Sequence, residues 1–288
     1  EHLRSAMTGL GDSVVVVAEE DTLHVHLHCL DPGAPLSCAV GYGPLTAIKV
    51  ENMDEQAAQL VTSTVPLAAS GPFSVVAVAS GAGIAAALRG AGAEQIVPGG
   101  RTMNPSAREI LAAIEAASQP VVVVLPNNKN VVWTAEQAAG LSGKRVEVLP
   151  TRSVPQGIAA LLALNPDAEP EAALAAMRRA IGQVRTIEVT RAARPTRVDG
   201  QPVAAGQPIA LLDGELAVAA FSPEEAVLRA VARVGPAAGA LFTVFYGEGV
   251  PLERANHLAA ELRRLYPQTE VEVVAGGQPL YDYIVGLE

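Results

Sequence analysis

The sequence predicts an α/β protein: a small N-terminal α/β unit (1–62), then a two-lobed region with a parallel sheet (72–183) and a mixed sheet (184–288). Three observations predict it. From Phe73 onward strand, loop and helix alternate four times, and the strands are apolar runs such as Val121–Leu125. Such runs need cover on both faces, the mark of a parallel sheet joined by right-handed crossovers. Residues 184–220 instead alternate in short stretches broken at Asp199-Gly200 and Asp213-Gly214, with no helical period, as antiparallel hairpins do. Finally, half of the 288 residues are hydrophobic but only 3% are aromatic. A large core must therefore be filled by Val and Ile, which favour strands, and by Ala and Leu, which favour helices.

Along the chain, Ser13–Ala18 reads as a Val-rich strand, Glu20-Asp21 as a turn and Leu23–Cys29 as a second, strictly alternating strand, ended by Asp31-Pro32-Gly33. Leu45–Val50 reads as a third strand. Asn52–Leu60 reads as a polar helix leading into a linker, Thr62–Gly71, of Ser, Pro and small residues. The parallel lobe takes strands at Ser74–Ala79, Gln95–Val97, Val121–Leu125 and Arg145–Leu149. Its helices are expected at Ile84–Gly90, Ser106–Ala117, Val132–Leu141 and Pro155–Leu164, and Ser106 with Glu109 forms a capping box. A helix at Pro170–Gln183 leads into the mixed lobe. After its hairpins come a helix at Pro223–Val234, a strand at Ala240–Tyr246, a helix at Pro251–Tyr266 and strands at Glu270–Val274 and Tyr283–Leu287.

The formal net charge of −10 argues against nucleic acid, whose binders show a basic face, and against a polybasic membrane anchor. The apolar runs Val14–Ala18 and Ile158–Leu164 fall far short of the ~20 residues that span a bilayer, so no membrane span is expected. Two cysteines, Cys29 and Cys38, and no secretory leader fit the reducing cytoplasm. Both thiols read as buried spectators. The chain opens at Glu1 and enters a strand almost at once, as expected of a segment of a longer protein.

Alternate residues of a strand share a face, so His24, His26 and His28 point the same way. His-x-His spacing lets two imidazoles reach one zinc. The pattern equally describes a solvated or packed histidine ladder, and Cys29 points to the other face. Gly81-Ala-Gly83-Ile-Ala-Ala86 matches the dinucleotide fingerprint in form, but the next strand ends in Pro98-Gly99-Gly100 where a ribose-binding carboxylate belongs. A tight strand-to-helix turn that needs small residues accounts for it.

Three polar stretches follow predicted strands, where open α/β sheets bind ligands: Gly99–Ser106, Leu125–Asn130 and Gly276–Tyr281. In the first, Arg101, Thr102, Asn104 and Ser106 lead into a helix N-terminus, whose free N–H groups and dipole favour a carboxylate or phosphate. In the second, Asn127, Asn128, Lys129 and Asn130 repeat the arrangement and add a positive charge; the third supplies Gln278 and Tyr281. These are the candidate residues for binding a ligand or partner, with Arg101, Asn104, Asn128 and Lys129 suited to an anion. Each loop alone also reads as an ordinary capped turn. No catalytic residue is expected: there is no Gly-x-Ser-x-Gly elbow, and His257 lies within an amphipathic helix, away from any nucleophile.

With these residues in hand, the chain resembles the C-terminal two-thirds or so of bacterial fatty acid kinase ATP-binding subunits. This is the FakA or YloV type, a Dak2-domain (dihydroxyacetone-kinase-like) family. The matching stretches run in order: Val25–His28 with Asp31-Pro32-Gly33, Ile48–Met53, Gly99–Ser106, Pro126–Asn130, Glu136–Ala138, Pro155–Gly157, Tyr246–Glu248 and Gly276–Tyr281. The resemblance implies that ATP and magnesium are held by a separate kinase domain, so this chain would phosphorylate nothing by itself. It implies that His26 and His28 are zinc ligands, with a cysteine ligand upstream of Glu1, and that the parent is a homodimer. It implies that the C-terminal part is DegV-like and docks a fatty-acid-binding DegV-type partner protein. In DegV-like proteins the loops matching 99–106 and 126–130 hold the fatty acid carboxylate; here Asn-Asn-Lys-Asn replaces the usual Ser/Gly-rich second loop. The expectation is a non-catalytic, partner-docking and dimerising portion of a kinase subunit that makes acyl phosphate for phospholipid synthesis. The alternative is a module that binds a small molecule itself, a fatty acid or another anionic ligand.

Overall fold

A computed structural model describes residues 6–7, 12–19, 22–28, 33–43, 45, 73–198 and 200–288. The chain divides into two compact units, Glu1–Thr62 and Ser63–Glu288. In the first unit, strands β1 (Asp12–Glu19) and β2 (Thr22–His28) pair antiparallel. The register sets His24 opposite Val17, His26 opposite Val15 and His28 opposite Asp12. Helix α1 (Gly33–Val40) follows. Sequence reading took Asp31-Pro32-Gly33 as a break and missed this helix. Gly33 and Pro35 fall in its first turn, where proline sacrifices no hydrogen bond. Cys38 lies on α1 and is half-buried rather than fully buried. Cys29, the expected strand from Leu45 to Val50 (but for Leu45 itself), the polar helix at 52–60 and the linker lie outside the described residues.

The second unit has the two expected lobes. Strands β3 (Ser74–Ala79), β4 (Gln95–Pro98), β5 (Val121–Leu125) and β6 (Arg145–Val148) form a parallel sheet in the order β4-β3-β5-β6. Helices α2 (Ala82–Gly90), α3 (Ala107–Ala116) and α4 (Val132–Leu141) connect them, and α5 (Val154–Leu162) and α6 (Pro170–Gln183) complete the lobe. Every residue of β3 is buried, as a central strand covered on both faces requires. The capping box of α3 forms: the Glu109 N–H donates to Ser106 Oγ at 3.3 Å, and the Ser106 N–H donates to the Glu109 carboxylate at 2.7 Å.

The mixed lobe contains β7 (Arg185–Arg191), a separate hairpin of β8 (Thr196–Val198) and β9 (Gln201–Val203), β10 (Pro208–Leu212) and β11 (Glu215–Ala219). It continues through α7 (Pro223–Val234), β12 (Leu241–Tyr246), α8 (Leu252–Leu265), β13 (Glu270–Ala275) and β14 (Tyr281–Leu287). The main sheet runs β11-β10-β7-β14-β12-β13, with β12 and β13 parallel and the other neighbours antiparallel. Asp213 (φ 51°) and Gly214 (φ 84°) turn the chain between β10 and β11, both left-handed as a two-residue hairpin turn demands.

This sheet is a middle layer. On one face Ile187, Val189, Phe242, Val244, Tyr283 and Val285 pack against α7 and α8. On the other, Phe245 and Ile284 join the core of the parallel lobe. Alternation along β12 and β14 therefore feeds two cores at once. Among the described residues no helix is long and apolar enough to cross a membrane.

Candidate functional site

A pocket of about 170 Å³ opens between the loops after β5 and β6 and the inner face of the mixed sheet. A narrower gap of about 30 Å³ continues past Ser80 and Arg101, where β3 and β4 end. Both lie at the carboxyl ends of the parallel strands, the place a ligand crevice takes in this architecture.

The structure distributes the sequence-predicted residues unevenly around this crevice. Arg101 lines the narrow gap and is paired with Glu248 at 3.6 Å, both side chains well exposed, so the pair is worth little. Thr102 and Asn104 are exposed and line neither cavity. Ser106 is committed to its capping box: the anion at the α3 N-terminus is the protein's own Glu109, whose carboxyl is held below its usual range by the Ser106 backbone and hydroxyl.

Asn127 is buried and structural. It takes a left-handed φ of 55°, its N–H donates to Thr151 Oγ1 at 2.9 Å, and its Nδ2 donates to the Val78 carbonyl at 3.0 Å. Among the described residues its Oδ1 has no hydrogen-bond donor; it lies against Gly157, where a Cβ would come within 2.2 Å of it. Asn128 lines both cavities, and its Oδ1 accepts from the Asn130 N–H at 2.9 Å. Lys129 reaches across to the mixed lobe, where Nζ donates to the Gly214 carbonyl at 3.0 Å.

The third stretch mostly locks the lobes together. Gly83 N–H and Ile84 N–H both donate to the Gly276 carbonyl at 3.1 Å, so the donors a dinucleotide phosphate would need at the start of α2 are already taken. Gln278 is buried, with Nε2 donating to the Phe245 carbonyl at 3.0 Å. Tyr281 does reach the crevice. The β14–β7 register shifts between Tyr281 and Tyr283, and this bulge re-aims Tyr281 so that it lines both cavities.

Sequence reading missed Glu188, Arg152, Ser153 and Thr186, all in the pocket wall. Ser153 caps α5, its hydroxyl lies 2.7 Å from that of Thr186, and the Arg152 N–H donates to Gln156 Oε1 at 2.8 Å. The signal was a second Ser-x-x-Gln capping pattern directly after a strand. Glu188 comes from β7, whose Thr186-x-Glu188-x-Thr190 alternation marks one polar face. Burial pushes the Glu188 carboxyl up to about 7, with the charge of Lys129 pulling the other way. Burial, then Glu188, pushes the Tyr281 hydroxyl up to about 12, so it remains a neutral donor near pH 7.

His24, His26 and His28 occupy alternate positions of β2. Their residue types suit zinc, but among the described residues no group of three or more His, Cys, Asp or Glu could hold a metal ion.

The two-lobed fold is shared with DegV proteins. The chain is similar to a DegV lipid-binding protein from Thermotoga maritima (TM-score 0.54, 12% identity, 75% of this chain and 98% of that one). It is also similar to a DegV family protein from Eubacterium eligens loaded with heptadecanoic acid (TM-score 0.52, 14% identity, 75% and 98%). The dihydroxyacetone kinase of C. freundii aligns as well (TM-score 0.54, 13% identity, 84% and 57%). Family models place the chain more closely. Residues 1–60 match the middle domain of FakA-like fatty acid kinase proteins and residues 74–288 match their C-terminal domain, and the chain belongs to that family. Protein YloV of Bacillus subtilis is 38% identical over 99% of this chain, and an uncharacterized protein of Staphylococcus aureus (strain USA300) is 30% identical over all of it. In both cases the match covers 53% of the relative, so the chain spans about half the length of the curated relatives it matches.

Proposed function

We propose that this chain is the non-catalytic, partner-docking and dimerising portion of a cytoplasmic fatty acid kinase subunit, and that its crevice does not hold an acyl chain. One observation carries the reading: the half-buried Glu188 carboxyl stands inside a pocket of about 170 Å³. That volume is below the roughly 300–1,000 Å³ of ordinary small-molecule sites. A fatty acid entering head-first would set its carboxylate beside the Glu188 carboxyl, and with Glu188 ionised the two like charges repel in a low-dielectric site.

In the parent, a kinase domain holding ATP and magnesium would transfer the γ-phosphate to a fatty acid carboxylate presented by a DegV-type partner, giving the acyl phosphate used in phospholipid synthesis. Such transfer depends on positioning and electrostatic stabilisation, which is what a docking portion contributes. A calorimetric titration of this chain with an oleate-loaded DegV-type protein tests the proposal. Saturable binding, weaker to the unloaded protein, supports it; absence of binding to both overturns it. The same reading gives His26 and His28 two positions of a zinc site. Zinc bound by the purified chain should then fall on His26→Ala; unchanged zinc content would remove these residues from the ligand set.

A further inference from the structure

The crevice that we propose holds no acyl chain is far from inert. Its polar groups divide into those the protein has satisfied and those it has not. Asp213 is satisfied: Oδ2 is 2.6 Å from Arg185 Nε, and Oδ1 accepts the Thr186 N–H at 2.8 Å. Ser153 and Thr186 are paired with each other. By contrast, among the described residues the Glu188 carboxyl takes part in no hydrogen bond or ion pair, although it is half-buried in the middle of β7. Desolvating a carboxylate without a partner costs stability, so its presence in the pocket wall points to a ligand.

Donors are left over on the facing wall. The Arg152 guanidinium has no partner among the described residues, and Lys129 uses one of three N–H groups on Gly214. Among the described residues only Oδ1 of the Asn128 side chain is used, which leaves its NH₂ group without an acceptor, and Tyr281 adds a neutral hydroxyl. The pocket therefore offers a carboxyl without a hydrogen-bond partner on the mixed-sheet side and cationic donors on the loops after β5 and β6.

We infer that the crevice is a binding site for a small zwitterion of amino-acid size, whose ammonium group pairs with Glu188 and whose carboxylate is taken by Arg152 and Lys129. A bare anion would satisfy the donors but face Glu188 with a like charge. A bare amine would satisfy Glu188 but leave the cations unmatched. A neutral hydroxyl would bond to Glu188 without compensating its charge, which burial makes expensive. The volume agrees with the chemistry: a cavity of about 150 Å³ accepts a ligand as large as benzene, so about 170 Å³ suits a molecule of a similar or slightly larger heavy-atom count. The site stands or falls independently of partner binding.

Thermal melting of the chain with each of the common L-amino acids tests this, with L-lactate and propylamine as one-ended controls. Expected is a rise of several degrees with at least one amino acid at concentrations well above its dissociation constant, following mass action, and no comparable rise with either control. The rise should vanish in Glu188→Gln and in Arg152→Ala. The first variant should itself melt no lower than the parent, which separates loss of binding from loss of fold. The inference is overturned if no amino acid raises the melting temperature, if lactate or propylamine does as well, or if the response survives both substitutions.

Discussion

Replacing Gly83 by alanine will lower the melting temperature of the second unit by roughly 6–12 °C. A Cβ on Gly83 would sit 1.6 Å from the Ala275 carbonyl oxygen and 2.7 Å from its carbon. Both atoms are backbone, so no rotamer change relieves the clash; the start of α2 and the end of β13 must move apart. That movement breaks the two N–H donations to the Gly276 carbonyl that tie the lobes together. Overpacking costs typically about 1–3 kcal/mol and more when backbone must shift. At about 2–4 °C per kcal/mol for a unit of this size, a penalty near 3 kcal/mol gives the stated drop. Gly90→Ala is the control in the same helix: it has open space around it, so a modest gain of up to about 1 kcal/mol is expected. Equal melting of Gly83→Ala and the parent by circular dichroism would show that the α2–β13 contact does not hold the lobes.

The second large effect belongs to Glu188. Its carboxyl titrates near 7 in the folded protein and near its usual 4.5 once unfolded. The folded state therefore holds its proton more tightly, and stability falls as pH rises from about 4.5 to about 7. At about 1.4 kcal/mol per unit, the loss is on the order of 3 kcal/mol above pH 7. Glu188→Gln removes this dependence. The variant and the parent should denature alike near pH 4.5, while at pH 8 the variant should be the more stable, by roughly 5–10 °C in melting temperature. The groups facing Glu188 that contribute charge or hydrogen bonding, Lys129 and Tyr281, do not reverse the sign, because Lys129 is already credited with lowering the Glu188 value and Tyr281 stays neutral. Parallel denaturation curves for parent and variant at both pH values would refute the buried-carboxyl account.

Much of the fold was legible in the sequence, and for a physical reason. In the parallel lobe local pattern and tertiary role agree: Val121–Leu125 is apolar throughout because both faces are covered, and it forms β5 over that range. Pro170–Gln183 and Pro223–Val234 likewise begin on a proline and become α6 and α7 without shift. Helix α1 was hidden because its Gly and Pro, breakers elsewhere, sit in the one turn that tolerates them.

The site was harder to read. Polar loop residues stood out as candidates, yet Ser106, Asn127 and Gln278 use their polarity to cap a helix and tie strands together. In the sequence Glu188 is one polar position in an alternating stretch, with nothing to single it out. Only the stacking of that face on the parallel lobe makes it a pocket residue, and no local pattern encodes that stacking. The Gly81–Gly83 pair has the same character: its need for glycine comes from Gly276, almost two hundred positions away.

The proposed function has this DegV-like pair of lobes dock a partner without holding an acyl chain. The most direct measurement is thermal melting of the purified chain with saturating free oleate at pH 7.5. An unchanged melting temperature is expected. A rise of several degrees that disappears on Glu188→Leu or Lys129→Ala would contradict it, and would make the crevice an acyl site after all.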